Sequence, residues 1–307
     1  MSSLHSDRQT NDRLKHRAAV ASILLAFLLS GLKLFATIAS GSLAVFSSLI
    51  DSISDVLGSA ITFVAVKYST KPASVRHRYG YGKAEAVSAL IQAFFVAGSG
   101  LFVLYDAVVR FFHPRVLEET PLAIGIMVFS LLATLVLIAY QKHVATLTKS
   151  QAINADSAHY VVDILTNTSI IISLTVVKFF EIYWFDTLTA LVIAVYLLYN
   201  AYQLITEAFA VLLDHELSDD IRKNIGRIIS AHDFVKGFHD VRTHSLGNEY
   251  LFEIHLELDG RLSLYEAHQL SDKVETAILE EYPNAQVIIH QDPSGVAEER
   301  LDEKLTK

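Results

Sequence analysis

Four ionisable side chains that can ligate a metal stand inside long apolar stretches of the sequence. Asp51 and Asp55 are four residues apart in one stretch, and His159 and Asp163 repeat that spacing in another. Positions i and i+4 lie on one face of an α-helix, so each pair presents two ligands in the same direction. An ionised group at the centre of a bilayer costs about 2.5–3.5 kcal/mol on insertion scales, so such groups are retained mainly where they have a function.

The donor set indicates which ion these residues would bind. Three carboxylates and one imidazole suit a tetrahedral divalent metal, and the imidazole favours Zn²⁺ or Cd²⁺, with Fe²⁺ and Mn²⁺ also compatible. Protons compete with metal for the same lone pairs. The set therefore predicts metal–proton exchange, with His159 as the main proton carrier. Asp156 is left out of the predicted site because it lies nearer the cytoplasmic end of its stretch.

Six apolar stretches of the length that a transmembrane helix needs would position these ligands. The chain has 307 residues, of which 52% are hydrophobic and 19% charged. The first 17 residues are polar and lack the features of a secretory signal, so the first stretch is expected to remain as a membrane span. The six predicted spans are 18–39, 43–68, 84–112, 121–141, 152–179 and 186–210.

The basic residues predict the orientation of these spans. Eleven Lys and Arg residues flank one side of the predicted membrane region and three flank the other. The positive-inside rule then places both termini in the cytoplasm, and we expect a multi-pass protein of the bacterial inner membrane. The predicted parts are a cytoplasmic tail at 1–17, a six-helix membrane domain at 18–211, a cytoplasmic metal-binding domain at 212–295 and a C-terminal tail at 296–307.

The part after the last span has a different composition. Residues 215–307 carry a net charge of −9, which disfavours nucleic acid and favours cations. Its pattern predicts an α+β domain in the order αββαβ, with elements at 217–232, 235–244, 249–258, 263–282 and 285–290. In the second strand apolar residues alternate with polar ones, so His255 shares a face with Glu253 and Glu257, which we expect to orient its ring.

Three motifs together resemble one known family. They are the two ligand pairs, the segment Tyr79-Gly80-Tyr81-Gly82-Lys83-Ala84-Glu85, and the segment Ile288-Ile289-His290-Gln291-Asp292-Pro293. This combination resembles the cation diffusion facilitator family over nearly the whole chain, and is most similar to its bacterial zinc-exporter branch, YiiP/FieF. The resemblance implies a homodimer of six-span protomers, a metallochaperone-like cytoplasmic domain, zinc/proton antiport, and a transport site at Asp51, Asp55, His159 and Asp163.

The resemblance also implies further sites. A binuclear zinc site of the cytoplasmic domain corresponds to His239, His255, His268, His290 and Asp292, with Gln291 as a weaker contact. A loop site of the branch corresponds to Ser74, His77 and Tyr81, so only His77 remains of its three ligands. Lys83 and Asp214 correspond to a charge interlock at the ends of two spans.

The sequence thus predicts a secondary exporter of Zn²⁺, and also of Cd²⁺ and Fe²⁺, from the cytoplasm in exchange for protons. Two domains of net charge −9 would repel each other, so zinc bound in the cytoplasmic domain is expected to stabilise the homodimer. The alternative is a membrane-anchored metal sensor with a structural zinc site inside the membrane. The sequence contains neither a His-Glu-x-x-His motif nor a Gly-x-x-x-x-Gly-Lys-Ser/Thr loop, so neither a metalloprotease nor an ATP-driven pump is expected.

Overall fold

Within the part of the chain that the structure describes, six long helices precede a small α+β unit. The computed structural model describes residues 2–40, 43–112, 121–180, 184–247, 249–296, 300–301 and 304. The long helices are α1 (Ser2–Ser40), α2 (Leu43–Ser69), α3 (Ala84–Phe112), α4 (Pro121–Thr148), α5 (Gln151–Phe180) and α6 (Trp184–Leu212). The remaining elements are α7 (Asp219–Ser230), β1 (Gly237–Ser245), β2 (Tyr250–Leu258), α8 (Leu264–Glu281) and β3 (Ala285–Pro293).

Within the described residues, four helices are long and apolar enough to cross a membrane. These segments are Thr10–Phe35, Ala84–Val109, Val128–Thr148 and Leu188–Leu212. Large apolar side chains such as Phe35, Phe102 and Val136 are exposed on them, each at 66% or more. Such a surface favours contact with lipid over contact with water.

The polar N-terminal segment continues the first helix, because α1 begins at Ser2. Lys15 is buried at 3% exposure, and its Nζ atom lies 2.9 Å from Oε1 of Glu85 in the first turn of α3. The same carboxylate accepts hydrogen bonds from the hydroxyl groups of Ser69 and Ser150. Pairing and full hydrogen bonding offset the desolvation of this buried charge, and they join α1, α3 and the ends of the neighbouring helices.

Small residues allow the long helices to approach one another closely. α1 packs against α2 and α4, while α5 packs against α3 and α4. The buried positions between them are rich in alanine, which is typical of helix packing in membranes. Ala89 and Ala93 of α3, for example, meet Ala155 of α5 and Ala208 of α6 in one buried cluster.

The C-terminal unit is a three-stranded sheet covered on one face by two helices. β1 and β2 are antiparallel, and β3 adds to β2 in parallel, giving the order β1-β2-β3. The predicted alternation in β2 is confirmed, because Phe252, Ile254, Leu256 and Leu258 are buried. These residues form one core with Ile225 and Ile229 of α7 and with Val274 and Ile278 of α8.

Local signals account for the boundaries of this unit. Ser263 and Glu266 form a capping box that begins α8, and the hydrogen bond from the Ser263 hydroxyl lowers the pKa of Glu266. Ser218 precedes α7, where the sequence predicts half of a capping box because Ile221 replaces Glu, but its side chain makes no cap hydrogen bond. β3 extends to Pro293, beyond the predicted end at 290, because its pairing with β2 continues as far as Leu258.

The chain divides into two compact units. The first comprises residues 1–72 and 84–209, and the second comprises residues 73–83 and 210–307. The loop before α3 thus belongs to the same unit as the sheet.

Candidate metal-binding sites

Two of the predicted membrane ligands, His159 and Asp55, contact each other between two helices. Nε2 of His159 on α5 lies 3.0 Å from Oδ1 of Asp55 on α2, and both side chains are buried, at 6% and 7% exposure. Nδ1 of His159 is also buried and has no hydrogen-bond partner among the described residues. A buried imidazole nitrogen of this kind is a potential metal ligand, because an unsatisfied polar atom is otherwise costly.

The other two predicted ligands lie on the same two helices. Asp163 is one turn beyond His159 on α5, and its charge acts on the His159 ring. Asp51 lies in α2 one turn before Asp55, and its side chain falls outside the described residues. Its neighbour Ser52 is buried and accepts a hydrogen bond of 2.6 Å from Nζ of Lys33. The backbone thus places all four predicted ligands on two adjacent helices.

Asp156, which lies outside the predicted site, is the most buried of the described carboxyl groups on these helices. It is 0% exposed and accepts hydrogen bonds from Oγ of Ser22 at 2.6 Å, Nε2 of Gln141 at 2.6 Å and Nε2 of Gln92 at 3.3 Å. These donors come from three different helices, α1, α4 and α3. The signal that could have found this group is the set of glutamines within apolar stretches, because buried amides need polar partners.

In the C-terminal unit, the register of the sheet aligns three of the predicted ligands. His239 on β1 is directly opposite His255 on β2, and His255 is directly opposite His290 on β3. Opposite residues of neighbouring strands have their Cβ atoms about 4.5–5.5 Å apart. The ring centroids are accordingly 5.1 Å apart for His239 and His255, and 4.8 Å apart for His255 and His290.

The carboxylate of Asp292 lies at the centre of this row of histidines. Its Oδ2 is 2.9 Å from Nδ1 of His255 and 3.7 Å from Nε2 of His239, while its Oδ1 is 3.1 Å from Nε2 of His290. Ligand atoms of His239, His255 and Asp292 lie within 4.8 Å of one another, close enough to hold one metal ion. Nitrogen and carboxylate donors in this number suit Zn²⁺.

Glu257 contacts a different histidine ring from the one that the sequence predicts. Glu257 contacts His239 rather than His255, with Oε1 3.0 Å from Nδ1, and it also accepts a hydrogen bond from Arg300. Glu253 lies near Arg242 instead, at 3.9 Å. The reason is that Glu257 lies two residues beyond His255 on β2, where the neighbouring strand brings His239 within reach.

The fifth predicted ligand lies apart from this cluster within the described chain. His268 is on α8, is 64% exposed at its side chain, and contacts Asp272 one turn further along at 3.4 Å. Gln291, expected as a weaker contact, follows His290 on β3, pairs in register with Leu256, and lies on the opposite face of the strand from His290 and Asp292.

The loop before α3 replaces the lost ligands of the predicted loop site with a local contact. The hydroxyl groups of Ser74 and Tyr81 are 3.0 Å apart, and the ring of His77 lies 4.5 Å from that of Tyr81. His77 is exposed, and its backbone is joined to that of Ser74 by two hydrogen bonds. These contacts join all three positions of the predicted loop site to one another.

The two residues of the predicted charge interlock lie in direct contact. Nζ of Lys83 is 2.6 Å from Oδ1 of Asp214, and the two side chains are 34% and 50% exposed. Nε2 of His244 on β1 is 3.5 Å from the same oxygen. Asp214 has φ of +53°, a left-handed conformation that ends the chain's helical course after α6.

Comparison with known families identifies both parts of the chain. Residues 19–213 match the cation efflux transmembrane domain, and residues 217–294 match the cytoplasmic domain of cation efflux proteins. The first match alone spans more than half of the sequence.

Individual relatives agree with this result. The cation-efflux pump FieF of Serratia proteamaculans (strain 568) is 39% identical over 287 residues, which cover 94% of this chain and 95% of the relative. The FieF pump of Salmonella newport (strain SL254) is 38% identical over 288 residues, covering 94% and 96%. A solved metal-bound C-terminal domain of the CzcD transporter from Thermotoga maritima is 30% identical, with a TM-score of 0.25, covering 26% of this chain and 93% of that one.

These full-length relatives are transporters rather than enzymes. The resemblance inferred from the ligand pairs and the two segments is therefore confirmed. The chain belongs to the cation diffusion facilitator family of cation-efflux transporters, in the branch that contains the FieF pumps.

Proposed function

We propose that this cation-efflux transporter exports Zn²⁺ from the cytoplasm in exchange for protons, and that it also accepts Cd²⁺ and Fe²⁺. The observation that carries the proposal is the buried contact of 3.0 Å between Asp55 and His159. It joins the two helices that bear the repeated ligand spacing, and Asp163 lies on the same stretch of α5.

The donor set supports a transition metal as the substrate. A site with one imidazole among carboxylates prefers Zn²⁺ and Cd²⁺ to Mg²⁺, which favours oxygen ligands alone. His159 and the carboxylates bind metal only when they are unprotonated. Metal that enters from the cytoplasm would displace protons, and protons that enter from the other side would displace metal.

The orientation and assembly of the protein are part of the same proposal. The surplus of Lys and Arg on one side of the spans supports cytoplasmic termini in the bacterial inner membrane. We propose a homodimer in which the cytoplasmic domains, each of net charge −9, are drawn together by bound zinc. The row of histidines around Asp292 supports that zinc site, and the exposure of His268 leaves its side chain accessible to a second copy of the chain.

The charge interlock is proposed to fix the cytoplasmic ends of two spans. Lys83 immediately precedes α3, and Asp214 follows α6. Their contact of 2.6 Å would keep these ends together while the helices rearrange during transport. An exposed ion pair contributes only about 0.2–1 kcal/mol to stability, so its role would be to set position rather than to stabilise the fold.

Flux of several metals into vesicles tests the substrate and the site together. The full-length protein is reconstituted into vesicles, and an imposed proton gradient drives metal flux. The fluxes of zinc, cadmium, iron and manganese are compared for the wild type, Asp51→Ala and His159→Asp. We expect Asp51→Ala to abolish flux of all four metals. His159→Asp should shift the preference from zinc towards manganese by about tenfold, because it removes the only nitrogen donor.

Two outcomes would contradict the proposal. If Asp51→Ala carried zinc at the wild-type rate, the predicted site would not be the transport site. If the wild type bound zinc inside the membrane but moved none of the four metals, the alternative of a membrane-anchored sensor would replace the exporter.

A further inference from the structure

Asp156 and the polar side chains that contact it, including Ser22, Gln92 and Gln141, form a fully buried cluster between the helices, here called the polar chamber. The donors to Asp156 are the hydroxyl groups of Ser22 and Thr62 and the amide groups of Gln92 and Gln141. Both glutamines are 0% exposed. None of these donors carries a charge, whereas the buried carboxylates of Glu85 and Asp55 have Lys15 and His159 as partners. A buried carboxylate without a cationic partner is costly, and protonation relieves that cost.

The two amide groups also provide hydrogen-bond acceptors for a protonated Asp156. Oε1 of Gln92 and Oε1 of Gln141 are buried and have no hydrogen-bond partner among the described residues. Each belongs to the same amide group whose nitrogen donates to Asp156. Rotation of a side-chain amide group by 180° exchanges the positions of its nitrogen and oxygen and hardly changes the shape of the side chain. The chamber can therefore donate to the charged carboxylate, or accept the proton of the neutral carboxyl group.

A chain of hydroxyl groups runs from this chamber to Tyr160, the residue next to the predicted ligand His159. Oγ of Ser22 lies 2.8 Å from Oγ of Ser59, which lies 2.8 Å from the hydroxyl of Tyr160. Tyr160 directly follows His159 in the sequence and is buried at 1% exposure. The imidazole of His159 also acts electrostatically on Asp156, which is one helical turn away.

We propose that Asp156 is a second proton-binding site, distinct from the metal ligands, and that Gln92 and Gln141 stabilise its charged and its neutral form in turn. The proposal rests on the exchange of metal for protons described above. A cation bound one turn away favours the charged carboxylate, so Asp156 releases its proton when metal binds and takes one up when metal leaves. This part of the coupling between metal and protons is electrostatic, and it does not require metal and proton to compete for the same lone pair.

Other titratable groups surround the chamber and must be separated from Asp156 by experiment. The donors from α1, α3 and α4 that touch Asp156 are uncharged. Tyr160 interacts electrostatically with Asp156, and the buried pair of Lys15 and Glu85 lies nearer the ends of α1 and α3. The titratable groups that interact with Asp156, His159 or Tyr160 are on α5 and α2, namely His159, Tyr160, Asp163 and Asp55, and the buried charged pair on α1 and α3 is Lys15 and Glu85.

Proton release on zinc binding tests the proposal directly. The full-length protein is titrated with zinc in weak buffer, and released protons are counted by a pH indicator for the wild type and for Asp156→Asn. Asn keeps the shape of the neutral carboxyl group but cannot ionise. We expect up to one proton fewer per zinc in Asp156→Asn, with zinc affinity reduced by less than about tenfold because the metal ligands remain.

Matched variants keep the result interpretable. Ser88→Ala removes a buried hydroxyl one turn before Gln92 that has no hydrogen-bond partner among the described residues, and it should leave the proton count unchanged. Gln141→Met removes one amide without touching the carboxyl group, and should shift zinc-dependent proton release to higher pH because the charged form loses a donor. This second variant decides the question if Asp156→Asn does not fold.

The outcomes separate this proposal from the proposed function. An unchanged proton count in Asp156→Asn, or an unchanged pH dependence in Gln141→Met, would overturn the role of Asp156 while the wild type still exchanged zinc for protons. If the wild type itself released no protons when it bound zinc, the exchange mechanism would fail instead.

Discussion

The two candidate metal sites are built by different kinds of secondary structure, and their burial differs accordingly. In the membrane region the ligands lie on α2 and α5, and the described ones that meet, Asp55 and His159, are almost completely buried. In the cytoplasmic unit the ligands lie on three strands, and burial decreases along the row from His239, at 8% exposure, to His290, whose side chain is 66% exposed.

This difference matches the different roles proposed for the two sites. A helical pair can hold a cation away from water and release it when the helices move relative to each other, as a transported ion requires. A sheet fixes its register along the whole ladder, so ligands in register form a rigid site that suits an ion that stays. The comparison can be tested by disabling one site at a time.

Loss of charge at Asp55 should have the largest effect. In Asp55→Asn the side chain keeps its size but loses the negative charge that pairs with His159. We expect zinc flux into vesicles to fall about 100-fold or more, because even residues that only support metal ligands are worth 10–100-fold.

The matched control is Asp106→Asn, which removes a carboxylate from α3 outside the predicted site. The zinc flux of this variant should stay within about twofold of the wild-type flux, because Asp106 lies outside the predicted site. Equal losses in the two variants would show that any carboxylate of the bundle matters, and would remove the special role of Asp55.

Loss of Asp292 should affect binding in the cytoplasmic unit more than transport. Its carboxylate contacts all three histidines of the row, so Asp292→Ala should weaken zinc binding there by about 10–100-fold. Calorimetry on the full-length protein measures this binding in an Asp55→Asn background, where the membrane site no longer contributes. Zinc flux of Asp292→Ala alone should fall by less than tenfold, on the order expected for a supporting site.

Asp259→Ala is the control for the cytoplasmic site. This carboxylate is held by Arg261, whose hydrogen bonds lower the pKa of Asp259 well below its usual range. It lies outside the row of histidines, so its removal should leave zinc binding unchanged. Unchanged binding in Asp292→Ala as well would contradict the proposed cluster.

The smallest effect is expected at Gly247, in the turn between β1 and β2. Its φ is +94°, and a Cβ atom there would lie 2.4 Å from the carbonyl carbon of Gly82 in the loop before α3. Gly247→Ala should lower the free energy of unfolding of the second unit by about 1–3 kcal/mol, through backbone strain and the steric clash together. This change in the free energy of unfolding is measured by thermal unfolding, with circular dichroism as the signal.

Gly295→Ala separates the two causes. Gly295 has a similar φ of +87°, but a Cβ atom there would meet no atom within 4 Å. The amount by which Gly247→Ala exceeds Gly295→Ala is therefore the cost of moving the loop. Equal effects in the two variants would mean that the loop yields freely and does not fix the turn.

Much of the architecture could be predicted from the sequence because it depends on local patterns. Long apolar stretches predict the six helices, and the alternation from Tyr250 to Leu258 predicts the buried face of β2. The capping box at Ser263 and Glu266 explains where α8 begins. The extension of β3 to Pro293 was missed, because a strand's end depends on the partner with which it pairs.

The details of the candidate sites depend on contacts that no local pattern contains. Glu257 was expected to orient His255, yet it contacts His239 on the neighbouring strand. Asp156 lies outside the predicted site, and it is fully buried and bound by side chains from other helices. Neither contact could be predicted, because periodicity shows which residues share a face but not which residues of other elements approach that face.

The sequence by itself determined which residues carry ligand chemistry and on which helix or strand face they lie, because 3.6-residue and two-residue periods are properties of the local backbone. Only the tertiary structure decided which faces meet. Asp55 and His159 are 104 positions apart, and they touch because α2 packs against α5. Likewise, the register of the sheet set three histidines side by side around one carboxylate.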